Sequence, residues 1–100
     1  SEALFKGNIK ELSYDDIKAC FKGLKQEETN ENINIVDALV LVHAAQSKRE
    51  AREFVNNGAV SINGDIVKDI NFVITKEKAF GKETTVIRRG KKNYYLLKHN

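Results

Sequence analysis

Apolar residues along this 100-residue chain fall into blocks of different period. In the first block Ile17, Cys20, Phe21 and Leu24 recur at the three- and four-residue spacing of one helix face. Ser13, followed by Asp16 at the third helical position, offers the cap for that helix. Residues 25–32 are polar and aperiodic and read as a mobile connecting loop. The run from Ile35 to Ala45 is apolar all round, and its β-branched content would also suit a buried strand. Its length favours a helix that includes His43; Asn34 with Asp37 can cap it, and a capping Ser47 follows after a short turn.

Ser47 opens the next helix. Its hydroxyl can accept from the free amides of the first turn while Glu50, three residues on, reaches back, which makes a capping box. Ala51, Phe54 and Val55 fall at core spacing, with Lys48, Arg49, Arg52 and Asn56 on other faces. Gly58 suits the left-handed position that closes a helix. Asn63-Gly64, between Val60-Ser61-Ile62 and Asp65-Ile66-Val67, predicts a tight hairpin. Thr84 to Arg88 and Tyr94 to Lys98 predict two further strands around a turn at Arg89-Gly90-Lys91-Lys92. The fold class is α+β, with two or three helices packed on a small, mainly antiparallel sheet.

Charge adds direction to this pattern. The net charge of +3 divides unevenly: residues 1–46 carry five Lys and eight acids, whereas residues 47–100 carry twelve Lys and Arg and six acids. A basic half of this kind suits a nucleic acid or an acidic membrane, and equally mere solubility. Lys48, Arg49 and Arg52 crowd the positive end of a helix dipole, where cations are unfavourable. Free amides, the dipole and three cations together make an anion site suited to a phosphate backbone. The bland alternative is a solvated face with Arg52 paired to Glu50 or Glu53. Arg88, Arg89, Lys91 and Lys92 form a second cluster at the last turn, with Tyr94 and Tyr95 just behind. Basic residues neutralise phosphate and rings stack on unpaired bases, although hairpin turns are often lysine-rich for solubility and alternation must send some rings to the core. Asn63, first of all a turn residue, and Lys68 beyond the hairpin are weaker candidates for RNA contact.

The series Ser47-Lys48, Ala51-Arg52, the apolar pair Phe54-Val55, then Gly58, Val60, Ile62, Asn63 and Gly64 resembles the small RNA-binding domain named after the S-four protein of the small ribosomal subunit. This likeness runs over residues 34–69 without a gap. The flanks, Ala3 to Leu12 and Val86 to Lys98, look like the C-terminal region of bacterial tyrosyl-tRNA synthetases. The resemblance implies a tRNA-binding domain, S-four-like in fold, that grips the anticodon stem and long variable arm of tyrosine tRNA. It also implies a linker to a catalytic domain of the same polypeptide, outside this chain, that activates tyrosine with ATP. On this reading residues 1–32 are an N-terminal helical segment and polar loop, and residues 33–100 are the S-four-like unit with its C-terminal hairpin, in one compact domain. The full-length enzyme would be a homodimer, the isolated domain a monomer, and the role of this piece in protein biosynthesis positioning rather than chemistry. A free-standing ribosome-associated protein, or a targeting module of an RNA-modifying enzyme, would share the central motif but not the flanks. A protein-interaction domain with a merely solubilising basic face is the reading of a different class.

Other chemistry is hard to find. One hundred residues suit a single domain with a modest core and leave no room for a nucleotide-binding sheet. His43, His99 and the single Cys20 have no metal-ligand spacing, so neither a metal nor a cofactor is expected. Asp15 and Asp16 suit the first turn of a helix better than an acid–base pair, and no catalytic residue is assigned. Cys20 reads as a buried, inert thiol. Ala79 to Glu83 superficially resembles the synthetase loop that binds ATP, but lacks its first lysine and any accompanying nucleotide signature. No apolar run approaches a membrane span, and a cytoplasmic home is expected. The chain opens on Ser1 rather than Met, so its first two residues are given no weight.

Overall fold

The computed structural model describes residues 14–20, 26–90 and 93–100. Three helices lie within them: α1 (Tyr14–Cys20), α2 (Ile35–Leu41) and α3 (Lys48–Asn56). The strands are β1 (Gln26–Thr29), β2 (Ile33–Asn34), β3 (Val60–Ile62), β4 (Asp65–Ile66), β5 (Val73–Ile74), β6 (Thr84–Arg89) and β7 (Asn93–His99). Five of them form one sheet in the order β1-β7-β6-β3-β4, in which only the β1–β7 pair is parallel. The other two, β2 and β5, form a small antiparallel sheet. The α+β expectation, helices beside a mainly antiparallel sheet, is the fold observed.

Local chemistry accounts for the boundaries. Asn34 caps α2 by accepting from the Val36 amide at 2.8 Å, while its own amide donates to the Ile70 carbonyl. Ser47 caps α3 by accepting from the Glu50 amide at 3.2 Å, and the Glu50 carboxylate accepts from the Gln46 amide, one residue before the position a strict capping box uses. At the far end of α3 the Gly58 amide donates to Val55 and the Ala59 amide to Phe54, the paired bonds of a Schellman motif. Gly58 takes the φ of 71° that this motif needs and most side chains resist. Asn63 and Gly64 both have positive φ, 51° and 93°, and Ile62 pairs with Asp65, so the predicted hairpin closes on a type I′ turn.

The core lies between α2–α3 and one face of the large sheet. Ile35, Leu39, Val55, Val60, Ile87 and Leu97 are among its fully buried residues. Burying each such side chain stabilises the fold by about 1.5–3 kcal/mol. By strand alternation Val86 and Leu96 face away from this cluster, yet they too are buried, so the sheet is covered on both sides.

Two expectations are corrected. The polar segment read as a connecting loop contains β1, whose Gln26 to Thr29 align with Leu96 to His99. The buried helix ends at Leu41, and His43 lies beyond it with φ of 67°. Ser13, Phe21, Leu24 and the flank from Ala3 to Leu12 lie outside the described residues.

Candidate nucleic-acid interface

The first basic cluster is held by the start of α3. Ala51 and Val55 anchor one side of that helix in the core, which turns Lys48, Arg49 and Arg52 outward, all exposed. Lys48 meets Asp37 of α2 at 3.3 Å, so the neighbouring helix supplies an acid to offset the cation at the dipole's positive end. Arg49 approaches Glu53, one turn along, at 3.9 Å. Both pairs are largely solvated and worth about 0–1 kcal/mol each, weak enough for a phosphate to displace. Arg52 has no acidic partner among the described residues, so the expected alternative pairing with Glu50 or Glu53 does not occur.

Two members of the second cluster, Arg88 and Arg89, are not loop-tip charges. Arg88 and Arg89 belong to β6, and alternation sends them to opposite faces of the sheet. Arg88 shares the far face with Ser61, its register partner, and donates from Nη2 to the Ser61 hydroxyl at 3.1 Å. Arg89 shares the helix-covered face with Val60. Its guanidinium carbon lies 5.1 Å from the centre of the Phe54 ring of α3, and its Nη2 donates to the Tyr95 hydroxyl of β7 at 3.4 Å. Both arginines are half-buried, and the Nε of each is buried without an acceptor. The Gly90 amide donates to the Ala59 carbonyl at 2.7 Å, which ties the β6–β7 turn to the chain just past α3. Lys91 and Lys92 lie outside the described residues.

The weaker candidates separate. Asn63 donates from Nδ2 to the Lys78 carbonyl, and its Oδ1 accepts from the Val86 amide at 2.8 Å. Its side chain therefore joins the hairpin to β6. Lys68 is exposed, and its stem passes over Gly58, where an added Cβ would meet Cε at 3.0 Å. Tyr95 packs against the core, while Tyr94 is half-buried on the Arg88 face.

Sequence reasoning missed three participants. Phe54 was read only as core, but it also carries the Arg89 guanidinium. Ser61 and Asp37 hold cations that lie 27 and 11 residues away along the chain. Only Ser61 had a usable signal, as a polar residue alternating with Val60 and Ile62 in a strand.

Neither histidine joins these clusters. His43 contacts Glu27 of β1 at 3.5 Å. His99 is buried, with Nε2 at 2.7 Å from the Thr85 hydroxyl, and desolvation, aided by the nearby Lys76 charge, holds its pKa below the usual 6.5.

This combination of capped basic helix, glycine stop, Asn-Gly hairpin and closing strand pair coincides with a known family. The model of the tyrosine–tRNA ligase SYY-like C-terminal domain matches residues 16–97. The chain belongs to this family. The tyrosine–tRNA ligase of Streptococcus agalactiae serotype Ia is 46% identical over 99 residues, which cover 97% of this chain and 24% of that protein. That of Staphylococcus carnosus is 44% identical over 100 residues, covering 99% of this chain and 24% of the relative. Tyrosine–tRNA ligase 1 of Bacillus subtilis strain 168 is 46% identical over 99 residues, with coverage of 97% and 24%. The domain thus spans about a quarter of the length of the curated relatives it matches. A solution structure of a tyrosyl-tRNA synthetase C-terminal domain matches with a TM-score of 0.76 and 37% identity, covering 98% of this chain and 100% of that one. Among the described residues no helix is long and apolar enough to cross a membrane.

Proposed function

We propose that this domain binds tRNA, and tyrosine tRNA in particular, on behalf of a catalytic domain elsewhere in the same ligase. Family membership gives the setting, and the exposed cationic start of α3 is the observation that carries the reading. Three basic side chains stand there over a helix N-terminus, one without an acidic partner among the described residues and two with only weak, solvated ones. Phosphate can replace those partners at little cost, and the α3 dipole then favours the anion. Arg88 and Arg89, with Lys68, Lys91 and Lys92, extend the contact, and a folded RNA is broad enough to reach both groups. Such contacts fix orientation and register, leaving discrimination mainly to RNA shape. The anticodon stem and long variable arm as the parts gripped, the cytoplasmic setting, a homodimeric ligase and a monomeric isolated domain rest on the resemblance. Asn63 is left out of the contact set, because its amide already serves the fold.

Titration of labelled tyrosine tRNA with the 100-residue domain tests the reading. About four phosphate contacts give a log–log salt slope near −3 to −4, so raising salt from about 50 to 200 mM should weaken binding on the order of 10²-fold. Arg49→Ala with Arg52→Ala should flatten the slope by roughly 2 while the melting curve stays in place. Binding that is absent, or indifferent to salt, would refute the proposal and favour a solubilising face.

A further inference from the structure

Arg89 is an odd cation. It is half-buried, no carboxylate among the described residues pairs with it, and its Nε is buried with no acceptor. Desolvating a guanidinium without an acid is unfavourable, and an arginine serving stability alone would be expected to find a carboxylate. Two side-chain contacts nevertheless hold it, and a backbone bond steadies its neighbour. The guanidinium carbon lies over the Phe54 ring, the Tyr95 hydroxyl accepts one N–H of Nη2, and the adjoining Gly90 amide is fixed to Ala59. Phe54 comes from α3 and Tyr95 from β7, so the guanidinium is clamped between the helix bearing the first basic cluster and the strand pair bearing the second. Nη1 has no acceptor among the described residues. Arg88, one residue earlier, lies on the other sheet face, tethered to Ser61.

Resting on the proposed function, we infer that Phe54 and Tyr95 are positioning residues for RNA binding, which hold the Arg89 guanidinium ready to present its Nη1 side to a phosphate. An unrestrained arginine loses much rotamer freedom when it grips an anion, and a guanidinium already held over a ring and bonded to a hydroxyl loses less. The clamp takes that loss during folding, so that it does not weigh against binding. The remaining N–H groups keep the planar fork that suits a phosphate's two oxygens.

The test is tyrosine tRNA binding by fluorescence anisotropy at several salt concentrations, with melting curves for every variant. Phe54→Leu removes the ring but keeps an apolar side chain, and should weaken binding about threefold to fivefold with the salt slope unchanged. Phe54→Tyr keeps the ring and should restore affinity. Tyr95→Phe deletes only the hydroxyl and should weaken binding in the same sense, with less risk to the fold. Arg89→Ala should lower the slope by about 1, and in that background Phe54→Leu should cost nothing further. Equal losses from Phe54→Leu with and without Arg89 would overturn the inference. So would unchanged affinity in both Phe54→Leu and Tyr95→Phe while the unaltered domain binds in a salt-dependent way. Failure of the unaltered domain to bind tRNA would instead remove the function proposed above, and this inference with it.

Discussion

At Asn63 the sequence pattern and the geometry assign different work to one side chain. In the sequence it is a candidate RNA contact beside a turn glycine. In the structure β3 ends at Ile62, and the Asn63 side chain supplies the next rung by accepting from the Val86 amide at 2.8 Å while donating to Lys78 at 3.1 Å. Its backbone φ of 51° is one that asparagine tolerates far better than alanine. Asn63→Gly keeps the backbone but orphans a partly buried amide, which costs about 1–3 kcal/mol. Added unfolded-state freedom costs roughly 0.5–1 kcal/mol more. Asn63→Ala orphans the same amide and adds left-handed strain of about 1–2 kcal/mol, so it should be the worse of the two. For a domain of this size each 1 kcal/mol lowers Tm by roughly 4–8 °C, so Asn63→Gly should melt on the order of 10 °C early. Circular dichroism melting, paired with a tRNA titration well below both midpoints, separates the two roles. The expected result is a large loss of Tm with little loss of affinity. An unchanged Tm with weakened, salt-dependent binding would refute the structural reasoning and return Asn63 to the RNA-contacting set.

Two further predictions concern stability alone. The His99 pKa is lowered on folding, so between the folded value and the unfolded value of 6.5 the unfolded chain binds more protons. His99 should therefore leave stability intact above about pH 6.5 and erode it as pH falls, by at most about 1.4 kcal/mol per pH unit for one proton. Urea midpoints measured from about pH 7.5 down to 5 should show this loss, and His99→Gln, which cannot titrate but can still bond Thr85, should reduce it; an equal slope in the variant would place the proton elsewhere. Gly58 and Gly90 share nearly the same φ, 71° and 73°, but only at Gly58 would a Cβ meet a neighbour, the flexible end of Lys68. Alanine at either position should cost about 1–2 kcal/mol in thermal melts, with Gly58 only slightly worse because the lysine can move; a much larger Gly58 effect would mean that the Lys68 stem is rigidly packed.

What could be read from the sequence was local, and what could not be read depended on distant partners. Both α3 caps, the α2 cap and the Asn-Gly turn rest on residues within a few positions of one another, and all were legible. The strand β1 was not. Gln26 to Thr29 are polar, lack a two-residue hydrophobic repeat and pair only with the far end of the chain, so nothing nearby announces them. The α2 terminus failed for a related reason: Val42, Ala44 and Ala45 are buried after the helix has ended, and burial alone had been taken for continued helix. Basic residues were legible as a charge excess but not as geometry. The two-residue strand period already required Arg88 and Arg89 to face opposite ways once β6 was taken to run through Arg89, yet assigning Arg89 to a turn hid that consequence. The correction bears on function. Two adjacent arginines that emerge on opposite faces cannot both lie flat against one RNA strand, so an RNA that uses both must pass across the end of the β6–β7 pair. Under the proposed function, Arg89, which lies on the α3 side of the sheet against Phe54 and Tyr95, is the one of the two expected to act together with the α3 cluster.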